Sequence, residues 1–339
     1  MQINKTKWGV VDGRDVHIFT ISAPKFRVEI SDLGATLISV HVPDGDGKVE
    51  NVTYGHGKPE SYLTSPGYFG ASIGRVANRI DHAQFELEGQ TYKVTPNHKV
   101  VHQLHGGKKG FSHKIWSIIK EETGIFDEEA RVSMQYVSQD GEEGYPGTLT
   151  AKIIYRINPM VIEWEFTAKT NKTTILNLTN HAYWNMNGIH TTIHNLEFTL
   201  NARKYSVVNK DLIPTGEEPQ FPLDLSSPTT FETIFKIFGD LDHNFFLEKD
   251  NPVTAVLYSP KTKRRMQVET TEPCIQVYTG NFMEGIDSFG TQCKKHGAVC
   301  LETQKVPNAI NRKKYRDWVI LKPDEIYAHR TKHTFTVEK

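Results

Sequence analysis

The sequence predicts an all-β protein of large antiparallel sheets with very little helix. Three observations carry this reading. Polar and apolar residues alternate along many short segments, β-branched and aromatic residues fill the apolar positions, and helical periodicity is scarce. VHIFTIS (16–22), FRVEIS (26–31) and ATLISVHV (35–42) follow one another as strands, the last running into the turn-rich PDGDGK. QFELEGQTYKV (84–94) predicts a hairpin turning at Glu88-Gly89. TLTAKIIYRI (148–157) and VIEWEFTAKT (161–170) predict two longer strands, parted by the breaker Asn158-Pro159. TAVLYSPKTKRRMQVET (254–270) predicts two more, joined by a basic turn. Helix is expected only at PESYLT (59–64) and TTFETIF (229–235). The polar, Pro-rich stretch 216–230 has strands on both sides and is expected as a surface loop. With no repeat, low-complexity run or dividing linker, residues 1–339 are expected to form one domain, although length alone suggests about 150 residues per domain.

Composition narrows the partners. Lys plus Arg and Asp plus Glu both number 40, so net charge favours neither nucleic acid nor an anionic membrane. A neutral small molecule fits at least as well. Cys274, Cys293 and Cys300 are too few, and wrongly spaced, for a disulfide framework or a structural zinc site. The N-terminal stretch lacks the apolar core of a signal peptide, and nothing approaches the ~20 apolar residues of a membrane span. A reduced, cytoplasmic setting is expected.

Six segments break the alternation and concentrate Gly, His, Asn and Arg, as functional sites tend to do. GYFGASIGRVANRI (67–80) carries Asn78-Arg79. The Arg offers forked donors suited to a diol or a carboxylate, or simply a structural ion pair. LHGGKKGF (104–111) sets His105 before a Gly pair, which either holds a histidine at a cleft edge or makes a turn. NLTNHAYWNMNG (177–188) surrounds His181 with amides and aromatics, Tyr183 among them. Such a mixture suits a polyhydroxylated ring, although Asn180-His181 also reads as a satisfied core pair. LDHNFFL (241–247) offers Asp242 as a ligand group or a turn residue, and CIQVYTGNF (274–282) offers Gln276 as an amide contact at a strand end. VCLETQKVPNAIN (299–311) places Glu302 in an apolar strand. Burial there would raise its pKa towards that of a general base, unless Arg79 or Lys305 pairs with it.

Taken together, GRVANRI, LHGGKKGF, DGEEGYPG, NLTNHAYWN, DHNF, YTGNF and CLETQKVPNAIN resemble the aldose 1-epimerase (galactose mutarotase) family, in family order from about residue 30 to 311. The resemblance implies a β-supersandwich with a sugar cleft and an isomerase that interconverts the anomers of free aldohexoses. By the same resemblance His181 is the general acid, Glu302 the general base, and His105 supports the ring-oxygen end. Asn78, Arg79, Asp242 and Gln276 match positions that hold hydroxyls, with Tyr183 in the same motif as His181. Anomer exchange needs one proton removed from the C1 hydroxyl and one delivered to the ring oxygen, so neither metal nor cofactor is expected. An ionised Glu302 working with a protonated His181 predicts a bell-shaped pH profile.

The chain departs from the family pattern at Asn308, where Asp is common, and at Met186, where Leu is common. A hexose-6-phosphate 1-epimerase would share the chemistry but needs a cationic cluster, for which KVPNAINRKKYR (305–316) is the candidate. A glycoside hydrolase would need a second carboxylate beside Glu302, such as Asp242. A non-catalytic sugar binder would have no need of a matched acid and base. A monomer or weak homodimer is expected.

Overall fold

The computed structural model describes residues 1–338, almost all in antiparallel strands and their connections. Helix is limited, among the described residues, to Pro59–Thr64, Phe231–Ile237 and short 3₁₀ turns. Both α-helices fall where the sequence predicts them. The second starts two residues late because Thr230 caps it, accepting from the Thr233 N–H at 3.3 Å. No helix of the described residues is long and apolar enough to cross a membrane.

Three sheets make the body. The first is a meander of Gln2–Val11, Arg14–Ala23, Phe26–Ser31, Thr36–Pro43 and Val49–Asn51. Its opening hairpin turns on Asp12-Gly13, both with positive φ (49° and 73°), as a two-residue turn between right-twisted strands requires. The second sheet has ten strands. Its spine is Glu129–Ser138, Leu149–Asn158 and Val161–Thr170, followed by the C-terminal strand Tyr327–Val337, then Arg264–Thr270 and Val253–Tyr258. Strict alternation along 149–158 sends Leu149, Ala151, Ile153, Tyr155 and Ile157 into the core and leaves the polar residues between them partly exposed. The hairpin Gln84–Leu87/Gln90–Lys93 turns at Glu88-Gly89, as its sequence predicts. Residues 216–228 are irregular, and Phe221 and Leu225 bury their side chains to pin that loop to the body.

The third sheet positions the chemistry. It orders Tyr183–Trp184, Val299–Gln304, Cys274–Tyr278, Asp242–Leu247 and Ala202–Tyr205. Every residue of Val299–Gln304 and of Cys274–Tyr278 is buried. Phe245, Ile275, Val277, Val299 and Leu301 join the main core. The residues between them, pointing the other way, are Asn244, Gln276, Tyr278, Cys300 and Glu302. Register sets Asn244, Gln276 and Glu302 in one row across three adjacent strands. Cys274, Cys293 and Cys300 are buried free thiols.

A buried arginine ties the remaining segments around this sheet. Arg75, 1% exposed, donates to the carbonyls of Ser138, Gln139, Pro146 and Gly147 and to the Ser138 hydroxyl, at 2.8–3.0 Å. It thereby locks the DGEEGYPG turn onto the segment that leads to Asn78-Arg79. Removing the guanidinium strands several buried carbonyls, each costing about 1–3 kcal/mol. Arg75→Met should therefore lower unfolding free energy by at least about 3 kcal/mol, read from urea midpoints at an unchanged slope.

Candidate active site

A cleft opens above the third sheet, with about 610 Å³ of empty space that includes the solvent at its mouth. Asn78, Arg79, His105, His181, Tyr183, Asp242 and Glu302 all line it, with Tyr68, Tyr278 and Phe282 beside them. Seven of the eight residues singled out in the sequence thus share one cavity. Gln276 stands one layer back, where its amide donates to Asp242 Oδ1 at 2.7 Å.

Glu302 is 2% exposed and occupies the cleft face of its strand. Neither cation proposed as its partner pairs with it. Lys305 binds Glu272 at 2.8 Å, and Arg79 faces Asp242 at 3.7 Å. The nearest ionisable partner of Glu302 is His181, with Nε2 3.6 Å from Oε1. Burial, reinforced by the negative Asp242, pushes the Glu302 carboxyl well above its usual range, and Arg79 offsets this only in part. Burial likewise lowers His181 to about 4. In the free cleft burial thus favours the proton on Glu302 beside a neutral imidazole, the same proton count as the ion pair expected from sequence but in the other arrangement.

His181 is held between aromatic rings. Its ring stacks against Tyr183 at 5.1 Å and Tyr68 at 6.0 Å, while its backbone bonds Ala71 and Gly70. Asn180, by contrast, is structural: its amide donates to the Gly70 carbonyl and the Tyr155 hydroxyl. His105 comes from a tight loop, with φ 51° and Gly106 at 84° following. A side chain on Gly106 would collide with the Gly74 carbonyl, so glycine is required there. The Asn78 N–H donates to His105 Nδ1 at 3.2 Å, which leaves the His105 proton on Nε2. Burial, and then His181 and Arg79, hold His105 far below the usual histidine range, so this ring is a neutral donor.

Asn78 Oδ1 also orients Arg79, accepting from its backbone N–H at 2.8 Å and from Nη1 at 3.3 Å. Several polar atoms here are buried without a partner: Arg79 Nε, His181 Nδ1, Gln276 Oε1 and Glu302 Oε2. Such groups are costly, and the convergence of Arg79, His181 and Glu302 on one cavity suits a ligand rich in hydroxyls. One atom each of His105, His181 and Glu302 lie within 4.8 Å of one another, a spacing that would also accommodate a metal ion.

The two departures from the family pattern are structural. Asn308 Oδ1 accepts the Asp81 N–H at 3.1 Å, and the Asn308 N–H donates to the Arg79 carbonyl. Met186 is a core side chain whose carbonyl accepts from Thr262 and Arg264. The basic run 305–316 is used elsewhere: besides the Lys305 pair, Arg312 bonds the Thr215 carbonyl and Lys314 bonds Glu218. Tyr68, Tyr278 and Phe282 lie within the segments 67–80 and 274–282, but nothing local marks them, and the fold alone brings them to the cleft.

The aldose 1-epimerase family model matches residues 17–334. The chain belongs to the aldose 1-epimerase family. It is an isomerase that interconverts the anomers of aldoses. Galactose mutarotase of Sus scrofa is 36% identical over 95% of this chain and 94% of its own length. The human galactose mutarotase is 35% identical over 96% and 95%, and the aldose 1-epimerase of Escherichia coli K12 is 30% identical over 99% and 100%. Among solved structures, an aldose epimerase homologue from C. elegans superposes with TM-score 0.87 at 26% identity, over 95% of this chain and 99% of that one. A galactose 1-epimerase from Lactobacillus acidophilus shares the fold at TM-score 0.87 and 24% identity, over 100% and 99%.

The buried Glu302 has a consequence for stability. Its carboxyl is raised in the folded state, so the stabilisation from holding that proton is complete below pH ~4.5 and is lost as pH rises towards the folded value. Glu302→Gln should match wild type at pH 4 and exceed it at pH 7, by up to roughly 1.4 kcal/mol per pH unit, in urea titrations at both pH values.

Proposed function

We propose that this enzyme exchanges the α and β anomers of free hexoses such as D-galactose and D-glucose, with Glu302 as base and His181 as acid. The observation that carries the reading is the 3.6 Å pair of Glu302 and His181, both buried, in a cleft lined with unpartnered polar groups. The names of the relatives support the choice of sugar. Residues 1–339 would act as one catalytic domain, since a single apolar core includes side chains from Phe19 to Phe335.

Sugar hydroxyls provide the hydrogen-bond partners that the empty-handed groups lack, which makes the ionised arrangement of the pair attainable in the complex. Glu302 then takes the C1 hydroxyl proton, the O1 electrons form the carbonyl, and the C1–O5 bond breaks. His181 gives its proton to O5. His105, neutral and protonated on Nε2, donates to the developing charge at the ring-oxygen end. Rotation about C1–C2 and reversal of the transfers yield the other anomer. Arg79, Asn78 and Asp242 hold the remaining hydroxyls, Gln276 fixes Asp242, and the Tyr183 ring bounds the His181 side.

A phosphorylated substrate is less well served. Arg79 is the one Lys or Arg among the cleft-lining residues, and it already faces Asp242. A hydrolase reading fares no better, because Asp242, the other carboxylate at the cleft, is engaged by Arg79 and Gln276.

Polarimetry on freshly dissolved α-D-galactose tests the assignment. Glu302→Gln and His181→Asn should each lower kcat by about 10²–10⁴-fold. The wild-type rate should fall as pH drops through about 4, where His181 adds a second proton to the pair and no base remains. On the alkaline side it should fall only when the proton held by Glu302 leaves. An acid limb near 6.5, or mutants as fast as wild type, would overturn the assignment.

A further inference from the structure

Outside the cleft, Asp81, His82 and His102 converge at the end of the small ladder that pairs Arg79–Ile80 with Gln103–Leu104. One ligand atom from each lies within 4.8 Å of the others. His82 Nδ1 is 2.9 Å and His102 Nδ1 3.1 Å from the same oxygen, Asp81 Oδ1. The His82 backbone N–H donates to His102 Nδ1 at 3.1 Å, so that nitrogen presents a lone pair and not a proton. The same nitrogen lies 3.1 Å from Asp81 Oδ1, so its lone pair and the carboxylate oxygen are close enough for one cation to bind both.

We propose that Asp81, His82 and His102 form a binding site for a divalent transition ion of the zinc class. Two imidazoles and a carboxylate are the donors such an ion takes, at about 2.0–2.2 Å, with a fourth position left for water. Those bond lengths imply ligand–ligand edges of roughly 3.3 Å in a tetrahedron, so the observed 2.9 and 3.1 Å need to open by only a few tenths of an ångström. An outer partner is in place. Asp211 Oδ2 lies 3.9 Å from His102 Nε2 while its Oδ1 is held by Lys99 at 2.8 Å, which places a carboxylate on the side where metal-bound histidines commonly engage one through their second nitrogen. His82 is 66% exposed in its side chain, so the ion can enter from solvent. On loading, the ion takes the His102 lone pair, and the His82 N–H passes to water.

None of these three residues lines the cleft, yet the ladder they clip carries Arg79 on one strand and leads to His105 on the other. The bound ion would act as a staple on the wall of the sugar site, adding stability and taking no part in proton transfer.

Calorimetric titration of the full chain with Zn²⁺, and visible absorption with Co²⁺, test this. One ion per chain is expected, with four-coordinate Co²⁺ bands. His82→Ala, a change at an exposed side chain, should weaken Zn²⁺ by at least about tenfold while keeping the anomerisation rate at saturating sugar. Glu302→Gln should bind Zn²⁺ like wild type, which separates this site from the His105–His181–Glu302 set. Absence of Zn²⁺ uptake, equal affinity in His82→Ala, or loss of uptake confined to Glu302→Gln would each overturn the proposal.

Discussion

A carboxylate on a strand buried on both faces is the constraint around which this molecule is arranged. Val299–Gln304 gives one face to the apolar core and the other to the cleft, so Glu302 has core behind it and Asn244 and Gln276 in line beside it. Little water reaches its charge there, and among the described residues no Lys or Arg pairs with it directly. Burial therefore favours the neutral acid, and the same burial favours the neutral form of the neighbouring imidazole. Two groups whose protonation states are both displaced from their solution values, 3.6 Å apart, share one proton that a polar substrate can redistribute.

The opposite wall is held by hydrogen bonds and tight backbone geometry more than by apolar packing. Asn78 accepts from Arg79, and its N–H fixes the tautomer of His105. Gly106 lets the chain pass against Gly74, and Arg75 binds the neighbouring turn through four carbonyls. Each element presets a donor direction before sugar arrives, so little reorganisation is left for the reaction itself. The cluster of Asp81, His82 and His102 extends this wall outward, beyond the cleft but on the same two strands.

Much of the fold was legible in the sequence, because period-2 alternation records a strand with one face in the core. The pair 149–158 and 161–170, the hairpin at Glu88-Gly89 and both short helices are examples. Gln2–Val11 escaped because its side chains are largely exposed and polar, although Asp12-Gly13 marks its turn. Tyr327–Val337 escaped for another reason. Its buried positions include His329, Thr331 and His333, which do not read as apolar, yet it runs through the middle of the largest sheet.

Local sequence sets the strand class, the segments that carry Asn78, Arg79, His105 and His181, and the placement of Glu302 in an apolar strand. These are local properties, written in side-chain period and glycine spacing. The choice of ionisable neighbour for Glu302 follows from the fold and not from local sequence. Lys305, three residues away, is turned to Glu272, while His181 is brought within 3.6 Å across 121 positions of chain. The fold also decided that Gln276 braces Asp242 from behind and that Tyr68, Tyr278 and Phe282 border the cleft. Distances between residues far apart in sequence follow from strand order and register, and those are fixed only when the whole core closes.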